Sequence, residues 1–169
     1  GPMLLGKVGD RVTVNFRNDL PEETTVHWHG LRVHAAHDGS NVSQMAIQPG
    51  ETYAYEFVLK KSGTFMYHPH ADEMTQIALG MTGMIVIHPR NPARRVDRDF
   101  VLMLHEWRID PGAQRPNPNE MTEFNVLTMN ARAFPGTEPL VARKGDRVRI
   151  RIGNLSPMDH HPIHLHGYQ

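Results

Sequence analysis

The sequence predicts an all-β chain, folded as a sandwich or a barrel. Three observations predict it. Short stretches of alternating or branched apolar residues recur, glycine and proline punctuate at short intervals, and only one short segment reads as helix.

The elements follow in order. Residues 11–16 (RVTVNF) alternate apolar and polar, as a half-buried strand does, and residues 147–152 (RVRIRI) repeat the pattern. Residues 52–59 are rich in aromatic and branched side chains and follow the turn signal Gln48-Pro49-Gly50-Glu51. Residues 64–67, 84–87 and 101–104 are shorter strands, and the helical candidate lies at 72–79. Two proline-rich polar stretches, 88–99 and 110–120, read as loop or linker, with a boundary near the first. The expected organisation is a first domain over 1–92, a linker over 93–120 and a second unit over 121–169.

Composition narrows the function. Lys+Arg and Asp+Glu are both 18, so no net charge points to nucleic acid or to an anionic membrane surface as a partner. No apolar run is long enough to span a bilayer. Cysteine is absent, which removes disulfides, thiolate metal sites and thiol nucleophiles together. Gly1-Pro2 reads as the remnant of a cleaved tag, and no charged, then apolar, secretory leader opens the chain. Methionine numbers 10, read as core filling.

An internal repeat is present. Gly9-Asp10-Arg11-Val12 recurs as Gly145-Asp146-Arg147-Val148, Asn18 matches Asn154, and His27-Trp28-His29-Gly30 matches His164-Leu165-His166-Gly167. The same unit therefore occurs twice, and by this ruler the second copy stops early.

The 12 histidines include three His-x-His pairs: His27/His29, His68/His70 and His164/His166. Chance predicts about 0.8 such pairs, so three require an explanation. Residues two apart on a strand face the same side, so each pair of imidazoles converges. A solvated polar strand face accounts for one pair but not for three. Imidazole suits copper, zinc, iron and nickel, and ligand type alone does not choose among them.

His27-Trp28-His29-Gly30, Tyr67-His68-Pro69-His70 and His161-Pro162-Ile163-His164-Leu165-His166-Gly167 resemble three of the four copper motifs of multicopper oxidases, the family of laccases and bacterial copper oxidases. Asp38-Gly39, Gln44, Ile47-Gln48-Pro49-Gly50-Glu51, Tyr55-Glu56-Phe57 and Gly63-Thr64-Phe65 resemble the framework of a first cupredoxin domain. Gln76, Gly80 and Gly83 fit the segment after the second motif. The likeness covers nearly the whole chain and is greatest to the two-domain bacterial type. It implies a cupredoxin-like Greek-key β-sandwich, with one complete domain and a partial, C-terminally truncated second one.

The same resemblance implies roles. His27 and His164 would hold a type 2 copper, His29 and His68 one type 3 copper, and His70 and His166 the other. His161 would be a ligand of the blue type 1 copper, and Asp38 would help deliver protons near the type 2 site. A plain turn Asp before Gly39 is the alternative for Asp38. His34, His37, His88, His105 and His160 have no place in the motifs and read as surface groups or supports behind the ligands. The fourth motif, which carries a cysteine, is missing, so no type 1 site is expected.

Three functions compete. The first is a copper oxidoreductase that oxidises small phenols or metal ions with dioxygen. The second is a catalytically inactive copper-binding fragment of such an enzyme. The third is another His-rich β-fold metalloenzyme, such as a cupin-like oxygenase, against which the repeat and the His-Trp-His-Gly context argue. The resemblance further implies a periplasmic or secreted location. It also implies a homo-oligomer, with a trimer in which His164/His166 reach a neighbour's His27/His29 and His68/His70. The half-built second unit is expected to expose strand edges and an apolar face.

Overall fold

The computed structural model describes residues 1–156 and 158–167. Among them the strands are β1 (Leu4–Lys7), β2 (Arg11–Arg17), β3 (His27–His29), β4 (Thr52–Val58), β5 (Gly63–His68), β6 (Gly83–His88), β7 (Arg98–Trp107), β8 (Val126–Met129) and β9 (Val148–Asn154). One short helix, α1 (Glu73–Ala78), and a 3-10 turn at Ala35–His37 complete the regular structure. The all-β expectation holds, and the helix falls inside the segment read as helical.

The first unit is a sandwich. Its smaller sheet pairs β2 with β4 antiparallel, setting Val12 opposite Phe57, Val14 opposite Tyr55 and Phe16 opposite Tyr53. Alternation along both strands turns these side chains to one side. The larger sheet has the order β1-β6-β5-β3, with β1 parallel to β6 and the other pairs antiparallel. Between the sheets lie Trp28, Ile47, Tyr55, Leu59, Ile85 and Ile87, all buried. Strand β6 is buried along Gly83–Ile87 on both of its faces, which explains its unbroken apolar run.

The second unit is a three-stranded sheet in the order β8-β7-β9, with β7 parallel to β9 and antiparallel to β8. The ten-residue strand β7 runs through the stretch 93–120 that was read as linker. Flanking prolines and charges hid it. The core of the strand, residues 101–104, was the part legible by its apolar run.

Strand β9 keeps the predicted alternation but with inverted burial. Val148, Ile150 and Ile152 are 41%, 39% and 42% exposed, so the apolar face lies open among the described residues. The alternate arginines turn inward instead. Arg151 donates from Nε to Asp99 Oδ1 at 2.7 Å and from Nη2 to Asp99 Oδ2 at 2.9 Å. This bidentate pair holds the Asp99 carboxyl below its usual range. Arg151 Nη1 also donates to Thr64 Oγ1 at 2.8 Å, which ties the second sheet to β5. Among the described residues no helix is long and apolar enough to cross a membrane.

Candidate metal centre

The site starts from the pairing of β3 with β5. Register sets His27 opposite His68 and Trp28 opposite Tyr67. Strand alternation sends Trp28 into the core, where it is 1% exposed, and turns His27 and His29 to the other face. One tripeptide thus supplies both an anchor and two candidate ligands. Trp28 packs against Tyr55, Phe57 and Tyr67, with ring centroids 5.3, 5.0 and 5.9 Å away.

The imidazoles converge. His27, His29 and His68 each offer a ring nitrogen within 4.8 Å of the others. The His70 ring lies 4.8 Å from His27 and 5.5 Å from His68. His29 Nδ1 and His68 Nε2 are 3.2 Å apart. Two nitrogens bound to one tetrahedral ion at about 2.05 Å lie about 3.3 Å apart, so this pair already has the spacing of a shared metal. A neutral, all-nitrogen donor set of this kind fits copper.

The expectation that every pair sits on a strand needs correction. His68 is the last residue of β5, and His70 lies past its end. Pro69 lacks an N–H and cannot continue the ladder. His70 is placed instead by its own N–H, which donates to Thr25 Oγ1 at 3.0 Å. His164 and His166 lie outside any strand and are exposed, with ring centroids 4.9 Å apart. They are not in the group formed by His27, His29 and His68. His161 Nε2 is 2.8 Å from Ser156 Oγ and 3.5 Å from Glu106 Oε1.

Groups behind the rings fix their orientation. His27 Nδ1 donates to the backbone oxygen of Asp38 at 2.7 Å, and the Asp38 carboxylate lies 3.5 Å away. His27 therefore keeps Nε2 free for the centre. The loop carrying Asp38 is held tightly. Gly39 has φ 77°, and a Cβ there would overlap the backbone of Val26 and His27. Its N–H donates to Gln44 Oε1 at 3.1 Å, and Gln44 Nε2 donates to the buried Tyr55 hydroxyl at 2.9 Å. On the other side, α1 is pinned by the fully buried Gln76. Its Nε2 donates to Glu23 O at 2.9 Å and its Oε1 accepts from Thr24 Oγ1 at 2.7 Å.

Sequence reasoning missed Glu73. Its two carboxylate oxygens sit 3.4 Å from His68 Nδ1 and 3.3 Å from His70 Nδ1. His68 Nδ1 also donates to Pro69 O at 2.9 Å. An acidic residue three positions after His70, opening the predicted helix, was the available signal. Carboxylates behind metal-binding imidazoles fix ring tautomers, and losing one costs 10–100-fold in metal affinity in general. Glu73 is 40% exposed, so Glu73→Ala is expected at the low end, about tenfold, measured by Cu(II) titration. An unchanged affinity would remove Glu73 from the site.

Sequence reasoning read His105 as a surface group or a support behind the ligands, and it left Glu106 unread; His105 is not at the surface. Both are buried, 2% and 3% exposed. His105 Nδ1 donates to Leu155 O at 2.8 Å. Burial pushes the Glu106 carboxyl up.

Burial also lowers the pKa of His68 and of His105 below the usual 6.5. The sign follows from linkage. Below 6.5 the unfolded chain takes up protons that the folded one resists. The stability these two contribute is full above pH 6.5 and is lost as pH falls through their folded values. Melting temperature should fall between pH 7 and pH 5, and a flat profile would contradict the burial of both rings.

Two family profiles described as multicopper oxidase match the chain, one over residues 1–92 and the other over 110–169. Copper resistance protein A of Escherichia coli is 41% identical over 109 residues, covering 63% of this chain and 18% of that protein. Multicopper oxidase MmcO of Mycobacterium tuberculosis is 26% identical over 186 residues, covering 91% of this chain and 36% of that protein. The crystal structure of a multicopper oxidase from Pseudomonas thermotolerans superposes with TM-score 0.81 at 39% identity, over 92% of this chain and 39% of that one. The blue copper oxidase of Nitrosomonas europaea also gives TM-score 0.81, at 33% identity, over 91% and 51%. The chain thus spans well under two thirds of the length of these relatives.

Proposed function

The chain belongs to the multicopper oxidase family, and from that premise we propose that it is a copper-binding oxidoreductase with a histidine-held type 2/type 3 centre and no type 1 copper. The carrying observation is the convergence of His27, His29 and His68 within 4.8 Å. His27 with His164 is assigned to type 2 copper, His29 with His68 to one type 3 copper, and His70 with His166 to the other. Bound copper supplies one-electron chemistry between Cu(II) and Cu(I). The reductant is a small phenol or a metal ion, and the oxidant is dioxygen.

The residues have defined tasks. Burial keeps His68 neutral and ready to ligate. Asp38, Pro69 and Glu73 engage the Nδ1 atoms of His27, His68 and His70, which leaves their Nε2 atoms free to ligate. The Asp38 carboxylate, 3.5 Å from His27, is the group we assign to proton delivery near the type 2 site. His164 and His166 stand exposed and apart from the His27 group, which supports a homo-oligomer, a trimer, in which they meet a neighbour's cluster. A periplasmic or secreted location goes with the same reading.

The test loads the protein with Cu(II), quantifies the metal, records paramagnetic resonance and follows oxygen uptake with a phenol. Nitrogen-ligated copper, turnover above free copper and no blue band near about 600 nm are expected. Copper without nitrogen couplings would overturn the proposal. A second reading, an inactive copper-binding fragment, is favoured by the absence of cysteine and hence of a thiolate for the type 1 site. Bound copper without turnover would select it.

A further inference from the structure

Helix α1 meets the histidine centre at one end and the second unit at the other. At its start, Glu73 places one carboxylate oxygen 3.4 Å from His68 Nδ1 and the other 3.3 Å from His70 Nδ1. In its middle, the fully buried Gln76 pins it to Glu23 and Thr24. Just past its end stands Gly80, with φ 86°. The Gly80 N–H donates to Ile77 O at 2.8 Å, and the Met81 N–H donates to Gln76 O at 3.0 Å. This pair of bonds closes a helix through one left-handed residue, which glycine adopts without strain.

Gly80 has a second task. A Cβ there would overlap the six-membered ring of Trp107, so the indole rests directly on the end of α1. Trp107 belongs to β7, and its own sheet fixes it. Its Nε1 donates to Thr128 Oγ1 at 2.8 Å, and that hydroxyl donates to His105 O at 3.1 Å. His105, two residues earlier on the same face of the strand, packs against the indole with centroids 4.4 Å apart. The buried His105 is itself held by Leu155 O, which its Nδ1 reaches at 2.8 Å. The indole is thus set by β7, β8 and the residue that follows β9. A helix of six residues is only about 9 Å long, so a push at its end, with Gln76 as pivot, reaches Glu73.

We propose that Trp107 is a positioning residue for the histidine centre: resting on Gly80, it sets α1 so that Glu73 holds the Nδ1 atoms of His70 and His68. The inference rests on the metal-centre reading above, but the contact between Glu73 and the imidazoles can be read in the metal-free protein. His70 is the sensitive ring. His68 Nδ1 also donates to Pro69 O at 2.9 Å, whereas His70 Nδ1 faces Glu73. A carboxylate beside Nδ1 keeps the proton there and leaves Nε2 bare for a metal.

The experiment uses the whole chain, metal-free and isotope-labelled at its imidazole nitrogens, at about pH 8, where the rings are neutral. Nitrogen–proton correlation spectra should show His70 as the Nδ1–H tautomer in the starting protein and as a mixture in Trp107→Leu. His27, whose Nδ1 donates to Asp38 O, is the internal control and should stay Nδ1–H in both. Cu(II) titration then completes a double-mutant cycle. Trp107→Leu alone should weaken binding about fivefold, less than the loss of Glu73 itself, and by less than about twofold in a Glu73→Ala background. An unchanged His70 tautomer in folded Trp107→Leu, an equal change at His27, or full additivity of the two substitutions would overturn the proposal. Should Trp107→Leu fail to fold, Thr128→Val, which frees the indole without removing it, carries the same readouts. A tautomer shift confined to His70 in a protein that binds no Cu(II) would sink the copper reading and leave this one standing.

Discussion

Replacing His68 with alanine is expected to weaken Cu(II) binding by about 100-fold or more. Losing a mere support behind a ligand already costs 10–100-fold, and on the proposed reading His68 would ligate the metal itself. It is the most buried ring of the cluster, with Nε2 3.2 Å from His29 Nδ1. It also joins β5, which carries it, to α1 through Glu73. Isothermal titration with Cu(II) reads the affinity, and His160→Ala, an exposed histidine outside the cluster, serves as control. A His68→Ala affinity within twofold of the starting protein would mean that the converging rings do not share an ion.

Replacing Trp28 with alanine carries the largest expected cost in stability. Removing a buried large aromatic side chain costs about 3–5 kcal/mol, from a total that is only about 5–15 kcal/mol for a domain. Trp28 is 1% exposed and sits among Tyr55, Phe57 and Tyr67. Its indole Nε1 has no hydrogen-bond partner among the described residues, so the contribution comes from packing. The cavity left behind would also loosen β3, because the neighbours of Trp28 on that strand are His27 and His29. Copper affinity should therefore fall with stability. Urea unfolding checks the first effect, and Trp28→Phe should recover much of both. A loss below about 1 kcal/mol would show that the tryptophan is not the anchor of the strand.

The strands with a strong internal pattern could be read from sequence. Alternation marked β2 and β9, and branched and aromatic residues after a proline–glycine turn marked β4. β1 could not be read, because its four residues, LLGK, include a glycine and carry no alternation. It is a strand because β6 offers it a parallel ladder. β8 is equally short and depends on β7. Glu73 escaped notice because its partners are His68 at the end of β5 and His70 beyond it, and only folding brings α1 against them.

The spacing of the histidines is a property of the sequence alone, and with it the demand that any extended His-x-His aim both rings one way. The tertiary structure decided which pairs meet that demand. His27-Trp28-His29 and His164-Leu165-His166 are near copies, yet only the first is a strand. The first has β5 beside it to satisfy its backbone N–H and C=O groups, and its tryptophan has a core to fill. Among the described residues the second has no neighbouring strand, and Leu165 is 56% exposed. Extended backbone holds its shape only when a partner ladder and a buried face fix it.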